Sequence, residues 1–340
     1  LLLRSRHELD ISTPASTVRS SPALLLVGWG ADVQGLTTLS AALALVKSLG
    51  ADASVEVRLV TSQRTVNDGL RGLARAVRQE AGRAPLRCFE TRAFARGGSP
   101  SCEILWCACT SAGEEPELAV QLGEPRGLAP RLLHAPKLPT AENNEVAGAH
   151  AITGGLGGLG LVTGRWLGSQ GAAVVLVSRS GQASSGGAFE WMLLMQSPVN
   201  VHIQRCDVAD EADVLRLFHL PRVGGVWHAA GTFADAVLAR QSEGRLRTVF
   251  APKVHGAEAL QAALVSAALR LLVLMSSTAA LFGGAGQANY SAANACLDTC
   301  ATARRGRGVV GVSIQWGAWA EVGMAATNLM VLARMRALGF

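Results

Sequence analysis

Residues 149–160 read Ala149-His-Ala-Ile-Thr153-Gly-Gly-Leu-Gly-Gly-Leu-Gly160, and their reading decides the fold. An apolar stretch enters a glycine loop, an apolar segment runs from Leu161 to Gly171, and Ala172-Ala-Val-Val-Leu-Val-Ser178-Arg179 follows. The order strand, glycine loop, helix, strand is one βαβ unit, the element from which parallel sheets are built. The glycines fit two overlapping patterns: Gly155, Gly157 and Gly160 match G-x-G-x-x-G, while Gly154, Gly158 and Gly160 follow Thr153 as T-G-x-x-x-G-x-G. Both patterns supply a tight turn, close backbone approach to a pyrophosphate and a helix packed on its strand, with the phosphates at the helix N-terminus. Thr153, Gly154, Gly155, Leu156, Gly157, Gly158, Leu159 and Gly160 form the expected cofactor loop.

The end of the next strand sets the cofactor type. An NAD site places a carboxylate there for the ribose 2′-hydroxyl, whereas this chain offers Ser178 and Arg179, which suit a 2′-phosphate, so NADPH is expected over NADH. A third strand, Val201 to Val208, brings the Asp207 carboxylate within the expected reach of an adenine amine, with Val208 beside it. A fourth, Gly224-Gly-Val-Trp-His228, ends in Ala229, Ala230 and Gly231, small residues that leave room for the ribose and nicotinamide side. Strand and helix alternate onward through 256–268, 271–275, 288–306 and 309–316, the pattern of a doubly wound parallel α/β sheet of Rossmann type.

Toward the N-terminus the same rhythm recurs in degraded form. Residues 23–30, 55–61 and 86–94 read as strands and 36–49 and 66–80 as helices, but the loop Gly28-Trp-Gly-Ala-Asp-Val-Gln-Gly35 lacks the glycine spacing and Trp29 would crowd a pyrophosphate. This half is expected to be a truncated Rossmann-like subdomain that binds no dinucleotide. Turn-rich stretches lie at 95–100 and 136–144, and the second places the domain division at 1–145 and 146–340.

Composition narrows the function. The 340 residues are 49% apolar and 16% charged, as in a packed globular protein, and the net charge of +6 is carried by arginine, with lysine only at Lys47, Lys137 and Lys253. No arginine run, aromatic interleaving or zinc spacing accompanies that charge, which excludes nucleic acid as the expected partner and points to an anionic cofactor or acidic carrier. The seven cysteines form no paired framework and read as reduced thiols of an intracellular, cytoplasmic protein, with no organelle indicated; Cys296 and Cys300 lie one turn apart without a histidine partner, so no metal is expected. Leu271 to Leu297 is uncharged and long enough to span a bilayer, but its Ser, Gln, Asn and Gly residues argue against a membrane role. The chain begins at Leu1 without a signal pattern, as expected of a piece of something longer.

The chemistry gathers around the only tyrosine, Tyr290, in Gly286-Gln-Ala-Asn-Tyr290-Ser-Ala-Ala-Asn294. Residues four apart share a helix face, so Tyr290 and Asn294 can point one way, while Ser276-Ser277 closes an apolar strand at the end where α/β sheets bind ligands. A Tyr and a Ser taken alone read equally well as ordinary core and loop residues. Together with Lys253-Val-His-Gly256, Ser276-Ser277 and Gln315-Trp-Gly-Ala-Trp319, however, the segment resembles the short-chain dehydrogenase/reductase superfamily, and specifically the ketoreductase domain of modular polyketide synthases and related fatty-acid synthases. Most of that superfamily has Lys four residues after the Tyr; here Asn294 stands there and Lys253 lies upstream, as in synthase-embedded ketoreductases. The first half is similar to the family's non-catalytic structural subdomain, notably at 72–80, 115–119 and 130–133.

The resemblance implies reduction of a β-ketoacyl thioester, carried on the phosphopantetheine arm of an acyl carrier protein, by NADPH, within a polypeptide that holds neighbouring synthase domains. It implies Tyr290 as proton donor, Lys253 as the ammonium that favours its phenolate, Ser277 as donor to the substrate carbonyl, and Asn294 as the residue positioning Lys253 or a relay water. Trp316, Trp319 and Met324 with 329–338 resemble a lid over the acyl chain, and equally a terminal helix docked on the core. For stereocontrol, Asp235 keeps the last residue of the family's Leu-Asp-Asp motif, and Phe282 stands where L-directing members carry Trp; both lean to the D-β-hydroxyl, or B-type, product. Two other classes are weighed: an inactive scaffold module, which a broken glycine loop or lost Tyr or Lys would mark, and a free-standing reductase of small carbonyls, against which the degraded first half and absent initial Met count.

Overall fold

The computed structural model describes residues 2–4, 23–28, 36–49, 56–62, 69–81, 86–92, 116–121, 127–128, 148–217, 223–264 and 271–319. The chain forms two compact units: Leu1–Leu138 with Asp235–Leu246 and Ala279–Cys296, and Pro139–Ala234 with Arg247–Thr278 and Leu297–Phe340.

In the first unit the elements are β1 (Leu2–Arg4), β2 (Ala23–Gly28), α1 (Leu36–Leu49), β3 (Glu56–Ser62), α2 (Gly69–Ala81), β4 (Leu86–Arg92), β5 (Glu117–Gln121) and β6 (Gly127–Leu128). The strands lie in sequence order; β2 to β5 are parallel, and β1 and β6 add antiparallel edges. Helix α2 repeats apolar residues at helical spacing, and Leu70, Leu73, Ala74 and Val77 are fully buried. Its other side carries Arg75 and Arg78, whose guanidinium groups both engage Glu117 on β5, with Arg75 Nε donating at 2.7 Å and Arg78 Nη2 at 2.6 Å. Burial alone would raise the Glu117 pKa, but the hydrogen bonds and charges of the two arginines outweigh it and the pKa is lowered.

Helix α2 also explains why the unit takes up two stretches of the later sequence. Arg75 Nη1 donates to the Ala280 carbonyl at 2.7 Å, Gln79 Nε2 donates to that of Phe282 at 3.3 Å, and a Cβ on Gly72 would lie 2.2 Å from the Ser291 carbonyl oxygen. The linear division at residue 145 read from the sequence differs from this packing for that reason. The turn-rich segments at 95–100 and 136–144, the loop after Gly28 and residues 130–133 lie outside the described residues.

In the second unit, β7 (Ala149–Thr153), α3 (Gly158–Ser169), β8 (Ala173–Ser178), α4 (Ala188–Gln196), β9 (Val201–Arg205), α5 (Glu211–Leu217) and β10 (Val223–His228) come first. After α6 (Glu243–Phe250) follow α7 (Gly256–Leu264), β11 (Leu271–Ser277), α8 (Thr278–Phe282), α9 (Ala288–Gly306) and β12 (Val312–Trp316); of these, α6 as far as Leu246, α8 beyond Thr278 and α9 as far as Cys296 belong to the first unit. The sheet order β12-β11-β10-β7-β8-β9 is parallel throughout, so the chain moves outward from β7 and then returns to β7's other side. The carboxyl ends of β7 and β10 therefore flank the switch point where doubly wound sheets bind ligands. Side chains alternate between two cores: Ala151, Val175, Val177, Val226, Leu272 and Leu274 face one, and Ile152, Val174, Leu176, Trp227, Val273 and Met275 the other. Burial on both faces is why these strands read as unbroken apolar runs.

Cys88, Cys206, Cys296 and Cys300 are buried thiols. Burial pushes the Cys88 and Cys300 thiols up to about 12 and that of Cys206 to about 11, which makes them poor nucleophiles. The uncharged run 271–297 is divided among β11, α8 and the start of α9, and among the described residues no helix is long and apolar enough to cross a membrane.

Adding one methyl group at Gly72 must displace either α2 or the Ser291 backbone. Gly72→Ala should therefore destabilise the first unit by about 1–3 kcal/mol, read as a lowered urea midpoint; an unchanged midpoint would mean that the α2 contact yields without cost.

Candidate active site

A cleft of about 470 Å³ opens over the carboxyl ends of the central strands of the second unit. Its floor is the glycine loop, from Thr153 and Gly154 through Leu156, Gly157, Gly158, Leu159 and Gly160. Gly154 has φ +66°, and a Cβ there would sit 2.8 Å from the Ala229 carbonyl oxygen. A Cβ on Gly160 would lie 2.4 Å from the Gly154 carbonyl oxygen, so the loop closes on the first turn of α3 only because both positions lack side chains. Gly155 does not line the cleft: it packs beneath the loop, where a Cβ would stand 2.6 Å from the Ile152 carbonyl oxygen.

Around this floor stand Ser178 and Arg179 at the end of β8, Asp207 and Val208 beyond β9, and Ala229, Ala230 and Gly231 beyond β10. Arg179 is exposed, with its carbonyl accepting from Arg205 Nε at 3.3 Å, and the Ser178 hydroxyl accepts the Gly181 N–H at 2.9 Å. Strand β9 ends at Arg205, short of Asp207; the Asp207 carboxylate accepts the Ala209 N–H at 3.0 Å.

The cleft also has walls that the sequence reading missed: Ser180, Gln182, Ser184 and Gly186 in the loop after β8, and Pro252. The Ser184 N–H donates to the Leu156 carbonyl at 3.1 Å, which folds that loop back over the glycine turn. Its Ser- and Gly-rich sequence signals a turn but not where the turn leads.

These residues fit a nicotinamide dinucleotide. Gly157, the residue that caps α3, offers no side-chain hydrogen bond, so the first-turn N–H groups of the helix are presented to the cleft floor, where a pyrophosphate would be held. The backbone close approaches at Gly154 and Gly160 leave the space that any Cβ would occupy.

Lys253 lies in a π-type turn, Ala251–His255, a widening of the helix that recurs at functional sites. It is 4% exposed, and its Nζ donates to the Met275 carbonyl at 3.0 Å. Burial brings its pKa down to about 8, with Asp298 opposing the shift. Gly231 passes so near that a Cβ there would be 3.0 Å from Lys253 Cε. The Lys253 carbonyl is 2.9 Å from His228 Nε2, and His228 Nδ1 is 2.7 Å from the Thr153 hydroxyl. A carbonyl can only accept, so Nε2 carries the proton and Nδ1 accepts from Thr153. Burial lowers the His228 pKa to about 4, which keeps the ring neutral in that tautomer. Ser277 ends β11, half-buried and in register with Trp316 on β12. Trp316 packs against the sheet, donating its indole N–H to Met275 Sδ at 2.9 Å and meeting Trp319 edge to face; Met324 and 329–338 lie outside the described residues.

The first unit holds Tyr290, Asn294, Asp235 and Phe282. Tyr290 is half-buried in the first turn of α9, with its N–H donated to Asn289 Oδ1 at 2.8 Å. Asn294 is fully buried and donates Nδ2 to the Tyr290 carbonyl at 2.8 Å, the one-turn relation expected from their spacing. Asp235 Oδ2 accepts from Gln287 Nε2 at 3.0 Å, and Phe282 is 54% exposed.

The family model of the KR domain matches residues 148–321. Polyketide synthase GfsA of Streptomyces halstedii is 39% identical over 217 residues, 62% of this chain and 3% of its own length. Chalcone synthase cfoA of Aspergillus candidus is 35% identical over 95% of this chain and 12% of its own length, so the chain spans a small part of the curated relatives it matches. Among solved structures, one of A-type ketoreductases from a modular polyketide synthase superposes with a TM-score of 0.78 at 33% identity, covering 88% of this chain and 66% of that one. The parallel sheet, its glycine-floored cleft and these likenesses identify a short-chain dehydrogenase/reductase-type oxidoreductase: the chain belongs to the ketoreductase domain family of modular polyketide synthases.

Proposed function

We propose that this domain uses NADPH to reduce a β-ketoacyl thioester, presented on the phosphopantetheine arm of an acyl carrier protein by a synthase with further domains, to the β-hydroxyacyl thioester. The observation that carries this reading is a buried lysine of lowered pKa, Lys253, in the same unit as the dinucleotide-shaped cleft. When bound, the nicotinamide supplies hydride. The chain's residues must then meet the charge growing on the ketone oxygen and deliver a proton to it. The Ser277 hydroxyl donates to that oxygen, and the Tyr290 phenol is the proton source. A phenol of pKa about 10 yields its proton sluggishly near neutrality, and the Lys253 ammonium favours its phenolate. Asn294 orients the proton relay. Asp207 would hold the adenine of the bound cofactor, and Arg179 with Ser178 its 2′-phosphate.

Purified protein given NADPH and a β-ketoacyl N-acetylcysteamine thioester should form the β-hydroxy product. Tyr290→Phe should lower turnover by about 10²–10⁴-fold with cofactor affinity nearly intact; near wild-type turnover in that variant sinks the assignment.

Cofactor choice is tested at Arg179. With Asp in its place a 2′-phosphate would face a carboxylate, so Arg179→Asp should weaken NADPH far more than NADH in a binding titration. Equal losses for both would show that the side chain does not contact the 2′ position.

The stereochemical reading rests on Asp235 and on Phe282 in place of Trp, and assigns the D-β-hydroxyl product. A second reading, the L-alcohol, is favoured by the solved relative at 33% identity described as A-type. Chiral chromatography of the product decides between them: excess D-alcohol is expected, and excess L-alcohol would mean that Asp235 does not steer the substrate.

A further inference from the structure

Glu80 sits at the end of α2, in the half of the chain to which the proposed reaction assigns no step, and its two carboxylate oxygens are divided between two distant backbone segments. Oε2 accepts the N–H of Leu238 at 2.6 Å, and Oε1 accepts the N–H of Gly286 at 2.8 Å. The segments are joined again where the Ala236 N–H donates to the Gly286 carbonyl at 2.9 Å and Gln287 Nε2 donates to Asp235 Oδ2 at 3.0 Å. Behind them Gln241, 1% exposed, donates Nε2 to the Ala236 carbonyl at 2.8 Å and lies 3.4 Å from Oδ1 of Asn289. That same oxygen accepts the Tyr290 N–H at 2.8 Å. Hydrogen bonds and the short backbone steps between them therefore link the Glu80 carboxylate to the backbone of Tyr290 and to the side chain of Asp235.

We infer that Glu80 is a positioning residue for the reductase reaction: one carboxylate clamps the Asp235 loop to the start of the Tyr290 helix and so fixes where both side chains stand. The role rests on the reading of Tyr290 and Asp235 given above. It needs a carboxylate, because one group must accept two N–H bonds from opposite segments, and charged acceptors make the stronger bonds. Glutamine offers a single acceptor oxygen and turns an N–H donor toward the second amide. The Gly286 segment is also held by Arg75 at Ala280 and Gln79 at Phe282, and the Leu238 segment by Lys47 of α1, whose Nζ donates to the Gln241 carbonyl at 2.8 Å, so loss of the Glu80 bonds loosens the clamp without releasing either segment.

The test compares the wild-type chain with Glu80→Gln, Glu80→Ala and Glu80→Asp. Hydrogen exchange by mass spectrometry should speed up in peptides covering Leu238 and Gly286 for Gln and Ala. The affinity for NADPH should stay within about twofold, kcat for the β-ketoacyl thioester should fall on the order of tenfold or more, and the ratio of D to L product should move toward unity. Asp, which keeps two acceptor oxygens, should recover part of kcat and of the product ratio. Unaltered exchange overturns the clamp. Faster exchange with wild-type kcat and product ratio overturns its part in the reaction, as does a loss of NADPH affinity equal to the loss of kcat, which marks general destabilisation. An inactive wild-type chain that binds NADPH defeats the reaction itself and this role with it, whereas an active wild type matched by Glu80→Gln defeats the role of Glu80 alone.

Discussion

A lysine amine held almost out of water is the constraint on which the second unit turns. Lys253 is 4% exposed, and three strands contribute to keeping it so. The end of β11 supplies the Met275 carbonyl to its Nζ, the end of β10 supplies the His228 ring to its own carbonyl, and the end of β7 supplies the Thr153 hydroxyl that fixes that ring. The strand that enters the glycine loop is thereby tied to the turn that carries the lysine. A buried ammonium is costly, which is why the pKa falls to about 8 rather than remaining near the ordinary lysine value. Gly231 passes beside this side chain, where a Cβ would lie 3.0 Å from Lys253 Cε.

Much of the fold was legible because its signals are local. Glycine spacing follows directly from backbone close approach, and the helix spans 36–49 and 288–306 agree with the observed α1 and α9. Other boundaries moved for physical reasons. The last strand, expected from Val309, begins at Val312; Val309 and Val310 are 42% and 52% exposed and lie in the turn that leaves α9, where the Val309 N–H donates to the Arg304 carbonyl. Of the first-half helix expected over 66–80, residues 69–80 lie in α2 and 66–68 lie outside the described residues. Asp207 falls past the end of β9 because its own N–H donates to Asp213 Oδ2, starting the turn into α5.

What sequence could not show is carried by contacts between distant residues. Nothing in the periodicity of α2 says that Glu80 will bind Gly286 or that Arg75 will bind Ala280, and so a single cut at 145 looked sufficient. Gly72 in α2 looks like a weak helix position until the Ser291 carbonyl is placed against it. Only the folded sheet shows that both nitrogens of His228 are used, one toward Thr153 and one toward the Lys253 carbonyl. A half whose sequence lacks the glycine spacing of the cofactor loop nevertheless carries a helix, α2, whose polar side holds the segments bearing Asp235 and Tyr290.

The claim that a buried Lys253 ammonium enables proton delivery is tested most directly by the pH dependence of kcat/KM for the cofactor, which reports the ionisations of the free enzyme. Burial favours the neutral amine, so the ammonium is present below pH 8 and is lost as the pH rises through about 8. The account predicts a single-proton fall in kcat/KM above that value. A profile that stays level to the ordinary lysine range, with the protein still folded, would contradict it.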